Sequence, residues 1–108
     1  MISNEQLTQL VRPACAQFGV RELSIFGSRA RGNSRAESDF DFVVSFYKGQ
    51  DGKLSDRYFG LLFYLEDHLS QPIDLLELDA IRNPYLLASI QEEKQIIYDH
   101  LGDLRRKP

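Results

Sequence analysis

Two runs suited to β structure, Glu22–Phe26 and Asp39–Phe46, flank a Gly27-Ser28 turn and a polar stretch, and the second run opens on acids two residues apart. Residues i and i+2 of a strand project to the same face, about 7 Å apart along the backbone. Asp39 and Asp41 are therefore directed at one point. At roughly 6 Å and an effective dielectric near 20, two carboxylates repel by roughly 3 kcal/mol, so the arrangement needs cations, protonation or arginines beside it at neutral pH. Hard Mg²⁺ with oxygen ligands fits best. A plain polar turn, its acids neutralised by Arg29, Arg31 and Arg35, is the competing reading.

The turn upstream favours chemistry. Gly27 permits a backbone conformation closed to residues with a Cβ, and Ser28, opening a short helical stretch to Arg31, offers a hydroxyl and free N–H groups to a phosphate. A third acid on a neighbouring strand would complete a two-metal clamp that activates the attacking oxygen and stabilises the leaving pyrophosphate. Asp74 is the candidate. It stands between Ile73 and Leu75 in a predicted strand from Pro72 to Leu78, where an unpaired charge is expensive; Glu77 and Asp79 lie near the strand's exit.

The rest of the pattern predicts an α/β (α+β) domain. Leu7, Leu10, Val11, Ala14, Cys15 and Phe18 form one helical stripe, opened by Ser3 with Gln6 as a capping box and ended by Gly19. Pro13 predicts either a kink or a second short helix. A polar loop runs from Gly32 to Ser38. A helix over Ser55–Leu69 carries apolar residues on more than one face, so it is either wedged between sheet and helices or turned in part toward another protein. Asn83 and Pro84 start a last helix to about Glu93, and Gln95–Tyr98 adds a short edge strand. This order implies a small mixed or antiparallel sheet backed by helices. One domain over residues 1–108 is expected, with 99–108 a flexible tail whose Arg105-Arg106-Lys107 end is solvated.

Composition excludes several function classes. The 108 residues suffice for one hydrophobic core, and no run approaches the roughly 18 to 20 apolar residues of a membrane span. The N-terminus lacks a basic region followed by an apolar one, which points to a cytoplasmic protein. A formal charge of −3 and a pI near 5.3 lack the positive field that neutralises nucleic-acid phosphates, so RNA and DNA are not expected as main substrates. Cys15, the single cysteine, reads as a buried inert thiol, and His68 and His100 as surface residues.

Phe26-Gly27-Ser28-Arg29-Ala30-Arg31-Gly32, then Ser38-Asp39-Phe40-Asp41-Phe42, then Ile73-Asp74-Leu75-Leu76 resembles the minimal nucleotidyltransferases of the DNA polymerase β superfamily, over about Ile2 to Tyr98. The resemblance implies Gly27 and Ser28 at a triphosphate, Arg29 and Arg31 on its phosphates, and Asp39, Asp41 and Asp74 as ligands of Mg²⁺, two ions in the full site. It further implies the antitoxin half of a two-protein module that transfers AMP from ATP to a tyrosine hydroxyl of a HEPN-domain ribonuclease toxin. Two alternatives stand beside it. One is an antitoxin that neutralises its partner by binding alone; the other is transfer to a small-molecule hydroxyl, which would require a homo-oligomer to build the second pocket.

Overall fold

In the computed structural model, which describes residues 2–27, 40–49 and 53–105, the first helix α1 (Asn4–Gln17) begins where the sequence places it. Ser3 Oγ accepts from the Gln6 amide at 3.1 Å and Gln6 Oε1 accepts from the Ser3 amide at 2.8 Å, a complete capping box. The helix runs unbroken through Pro13, which is exposed, so the proline does not start a second helix. Strands β1 (Val20–Phe26) and β2 (Phe40–Phe46), helix α2 (Leu54–Leu69), strand β3 (Ile73–Glu77), a single 3₁₀ turn (Leu78–Ala80), helix α3 (Pro84–Glu93), strand β4 (Gln95–Asp99) and helix α4 (His100–Arg105) follow.

The four strands form one mixed sheet in the order β3-β2-β1-β4. β1 is antiparallel to β2 and to β4, whereas β2 and β3 are parallel. A parallel neighbour needs a crossover, and α2 supplies it. Strand alternation then sorts the side chains. Leu23, Ile25, Phe40, Phe42, Val44 and Leu75 join Leu7, Val11, Ala14 and Cys15 of α1 and Leu61 and Leu65 of α2 in the main core. The Phe40 and Phe42 rings, two residues apart on that face, stack at 5.7 Å. The intervening residues of β2 and β3, among them Asp41, Val43 and Asp74, face the other way.

Asn83 Oδ1 caps α3 by accepting from the Tyr85 and Leu86 amides, with Pro84 in the first turn. Just beyond α3, Lys94 Nζ meets Glu22 Oε1 at 2.6 Å, near the start of β1 and four residues from the Phe26 end. Where a free tail was expected from Asp99 onward, Asp99 closes β4 and its Oδ1 accepts from the Leu101 amide, starting α4. The expected helix over Ser28–Arg31 and loop over Gly32–Ser38 lie outside the described residues. Among the described residues, no helix is long and apolar enough to cross a membrane.

Candidate active site

The register brings three of the residues singled out by sequence together. Asp41 on β2 is the cross-strand partner of Phe26, the residue before Gly27, and on its other side it is the partner of Asp74 on β3. Neighbouring strands lie roughly 4.8 Å apart, so the two carboxylates issue side by side from one face. Gly27 has φ +75°, and a Cβ there would fall 2.7 Å from Asp41 Oδ2. Glycine is favoured here for its backbone conformation, and a side chain in its place would push the Asp41 carboxylate from its position. Ser28, Arg29, Arg31 and Asp39 lie outside the described residues.

Asp41 is half-buried and Asp74 exposed. The exposure of Asp74 departs from the sequence expectation of a charge held in a buried strand. The cause is its position: β3 is the outer strand, and only the face bearing Leu75 enters the core. Two hard oxygen donors on one accessible face suit a divalent cation. At roughly 5 Å and an effective dielectric near 20 their charges repel by about 3 kcal/mol, a cost that a cation between them removes. Among the described residues no three His, Cys, Asp or Glu side chains gather to hold a metal, so any such site draws on donors beyond this pair.

Sequence reading missed Tyr58. From α2 its hydroxyl donates to the Leu75 carbonyl at 2.5 Å, one residue beyond Asp74. Burial, then the negative charges of Asp74 and Glu77, push its phenol above the ordinary value, so it remains a neutral donor. The signal available was slight: a hydroxyl-bearing ring three and four residues before Leu61 and Leu62 on the inward side of the helix.

A cavity of about 330 Å³ bounded by Phe46, Leu54, Arg57, Glu77 and Asp79 lies at the other ends of β2 and β3. Its guanidinium is committed elsewhere. Arg57 Nε donates to the Phe18 carbonyl at 2.8 Å, one terminal nitrogen donates to the Gly19 and Tyr47 carbonyls at 2.9 and 2.8 Å, and the group lies 5.0 Å from the Phe46 ring centroid. Arg57 is a structural tie.

Comparison with known proteins agrees with this geometry. The nucleotidyltransferase domain family matches residues 7–97, a span that includes Gly27, both acids and Tyr58. A Methanocaldococcus jannaschii relative named as a protein adenylyltransferase is 39% identical over 77 residues, 71% of this chain and 76% of the relative. The solved structure of a minimal nucleotidyltransferase superposes with a TM-score of 0.70 at 28% identity, covering 87% of this chain and 95% of that one. A chain in the structure of a tri-AMPylated Shewanella oneidensis HEPN toxin in complex with MNT antitoxin superposes at 0.58, with 17% identity, over 93% of this chain and 72% of that one. That last likeness is one of fold alone. With the acid pair set beside a glycine turn, and with the family matched over most of its length, the chain belongs to the nucleotidyltransferase domain family and is a nucleotidyltransferase.

Proposed function

We propose that this nucleotidyltransferase moves AMP from ATP to a hydroxyl, a tyrosine, of a HEPN-domain ribonuclease toxin and thereby acts as its antitoxin. The observation that carries the chemistry is the placement of Asp41 directly opposite Asp74, against the Gly27 turn. The acceptor and partner are supported by the adenylyltransferase name of the Methanocaldococcus jannaschii relative and by the AMP-bearing HEPN toxin of the Shewanella oneidensis complex.

In this reading Asp39, Asp41 and Asp74 hold two Mg²⁺ ions, which when bound supply charge that activates the attacking oxygen and stabilises the pyrophosphate leaving group. Gly27 and Ser28 receive the triphosphate, and Arg29 and Arg31 contact its oxygens. The protein's own work is positioning: β2 and β3 hold two carboxylates in fixed register, and the acceptor hydroxyl approaches from the exposed side of Asp74. Gly27→Ala is expected to lower the transfer rate roughly tenfold or more, because the new methyl displaces Asp41 Oδ2, and to destabilise the domain by about 1–2 kcal/mol through its left-handed backbone. Initial rates with ATP, paired with thermal melts, check this; a rate equal to wild type would remove the turn from the site.

The exposed side of α2 supports a protein acceptor. Phe59 and Phe63 are 50% and 62% exposed and stack at 6.0 Å, with exposed Asp56 before them and exposed Glu66 and Asp67 after. A second copy of this chain fits the face poorly, because acids would meet acids whichever way two such helices align. A partner with an apolar pocket rimmed by basic residues fits, and a ribonuclease that must bind phosphates is of that kind. Phe63→Ser is expected to weaken complex formation at least tenfold without lowering the melting temperature, since central aromatic anchors dominate such interfaces; calorimetric titration with a purified HEPN-domain ribonuclease decides it, and an unchanged affinity would clear the face of this role.

The proposal as a whole is tested by the intact mass of that ribonuclease after incubation with this protein, Mg²⁺ and ATP. A gain in whole AMP residues is expected. An unchanged mass beside a stable complex would overturn it in favour of neutralisation by binding.

A further inference from the structure

We infer that Tyr58 is a positioning residue for the acidic site, its bond to the Leu75 carbonyl holding β3 so that Asp74 stands level with Asp41. The inference rests on the proposed reading of Asp74 as a metal ligand.

β3 is a weak support for a side chain that must be placed accurately. It is five residues long, it is the outer strand of the sheet, and among the described residues β2 is its one strand neighbour. A strand paired along one side is free to twist and shift outward unless something beyond the ladder holds it. The Leu75 side chain is anchored in the core, but anchoring that side chain leaves the strand able to rock about it, and rocking moves the residues on the opposite face, where Asp74 projects. Tyr58 adds a second point of fixation on the backbone itself, at the carbonyl of residue 75. Its own mounting is firm: α2 buries Leu61 and Leu65 completely, and the Phe59 ring packs edge-on against Tyr58 at 5.2 Å. The tie therefore joins a fixed helix to a loosely held strand, at the residue adjacent to the acid.

The same helix provides a matched control. Tyr64 hydroxyl donates to the Leu10 carbonyl at 2.7 Å, a bond of the same kind between α2 and α1. Each tyrosine gives a phenol hydrogen bond to one main-chain carbonyl, and phenylalanine at either position removes one hydroxyl and keeps the ring. If Tyr58 only contributes to stability, the two variants behave alike. If it positions Asp74, they part at the metal.

The experiment measures Mn²⁺ binding by electron paramagnetic resonance, with a non-hydrolysable ATP analogue present, for the full-length wild type, Tyr58→Phe, Tyr64→Phe and Asp74→Asn, together with thermal melts and kcat. Similar small falls in melting temperature are expected for the two tyrosine variants. Tyr58→Phe should weaken Mn²⁺ binding roughly tenfold, the scale on which residues behind a ligand act, and lower kcat at saturating acceptor, whereas Tyr64→Phe should stay within about twofold of wild type on both measures. Mn²⁺ affinity that is weakened by Asp74→Asn but equal in the two tyrosine variants would overturn the inference alone. Mn²⁺ affinity unchanged by Asp74→Asn would overturn the ligand reading beneath it. A Tyr58→Phe protein that no longer melts cooperatively would show a structural role and overturn the inference.

Discussion

Asparagine at position 41 is expected to reduce nucleotidyl transfer by on the order of 10²-fold or more, because changes merely behind a metal ligand already cost 10- to 100-fold and Asp41→Asn removes an acidic donor itself. The substitution keeps the shape of the side chain, so the space beside Gly27 stays filled as before. It also removes one of two like charges projecting from adjacent strands, which lowers the repulsion between them, and a cooperative melt is expected to be retained. Initial rates at saturating ATP and Mg²⁺, with a melt of the same sample, separate the two effects. Transfer at the wild-type rate would remove Asp41 from the reaction, and loss of rate with loss of fold would return it to the structure.

Arg57→Ala is expected to cost about 3 kcal/mol of stability. Three main-chain carbonyls from two separate loops, Phe18, Gly19 and Tyr47, converge on its guanidinium; a hydrogen bond to a charged group contributes about 1.5–3 kcal/mol net, and hydration of the carbonyls that alanine uncovers offsets part of the loss. For a domain of this size that is a fall of roughly 10–20 °C in melting temperature. Lysine should restore less than half, since one ammonium cannot reproduce a planar fork reaching three acceptors. A melting temperature within about 3 °C of wild type in the alanine variant would show that the carbonyls find other partners.

Much of the frame was legible because it is written in local chemistry. The Ser3–Gln6 capping box, the Asn83-Pro84 start of α3 and the alternation that sends Phe40 and Phe42 one way and Asp41 the other all depend on residues within a few positions of each other. The meeting of Asp41 and Asp74 was approachable because both lie in short apolar runs of β type. What stayed hidden depends on long-range pairing. That β3 is the outer strand, and Asp74 consequently exposed, follows from strand order, which no local pattern encodes. Arg57 and Tyr58 bond to carbonyls up to 39 residues away, and every residue carries a carbonyl, so neither partner leaves a mark in the sequence. α4 was read as tail because six residues carry too little periodicity to announce a helix.

The parallel pairing of β2 with β3 makes the site intolerant of length change. Were β3 to slip by one residue against β2, Asp74 would be carried into the apolar layer, and Ile73 or Leu75 would surface in its place. The oily side of the strand thus enforces the alignment of the acidic side, and a misaligned chain loses core and carboxylate pair together. An insertion or deletion between Ile73 and Glu77 would abolish activity and fold in one step, so in this part of the chain variation is confined to exchanging one residue for another at constant spacing.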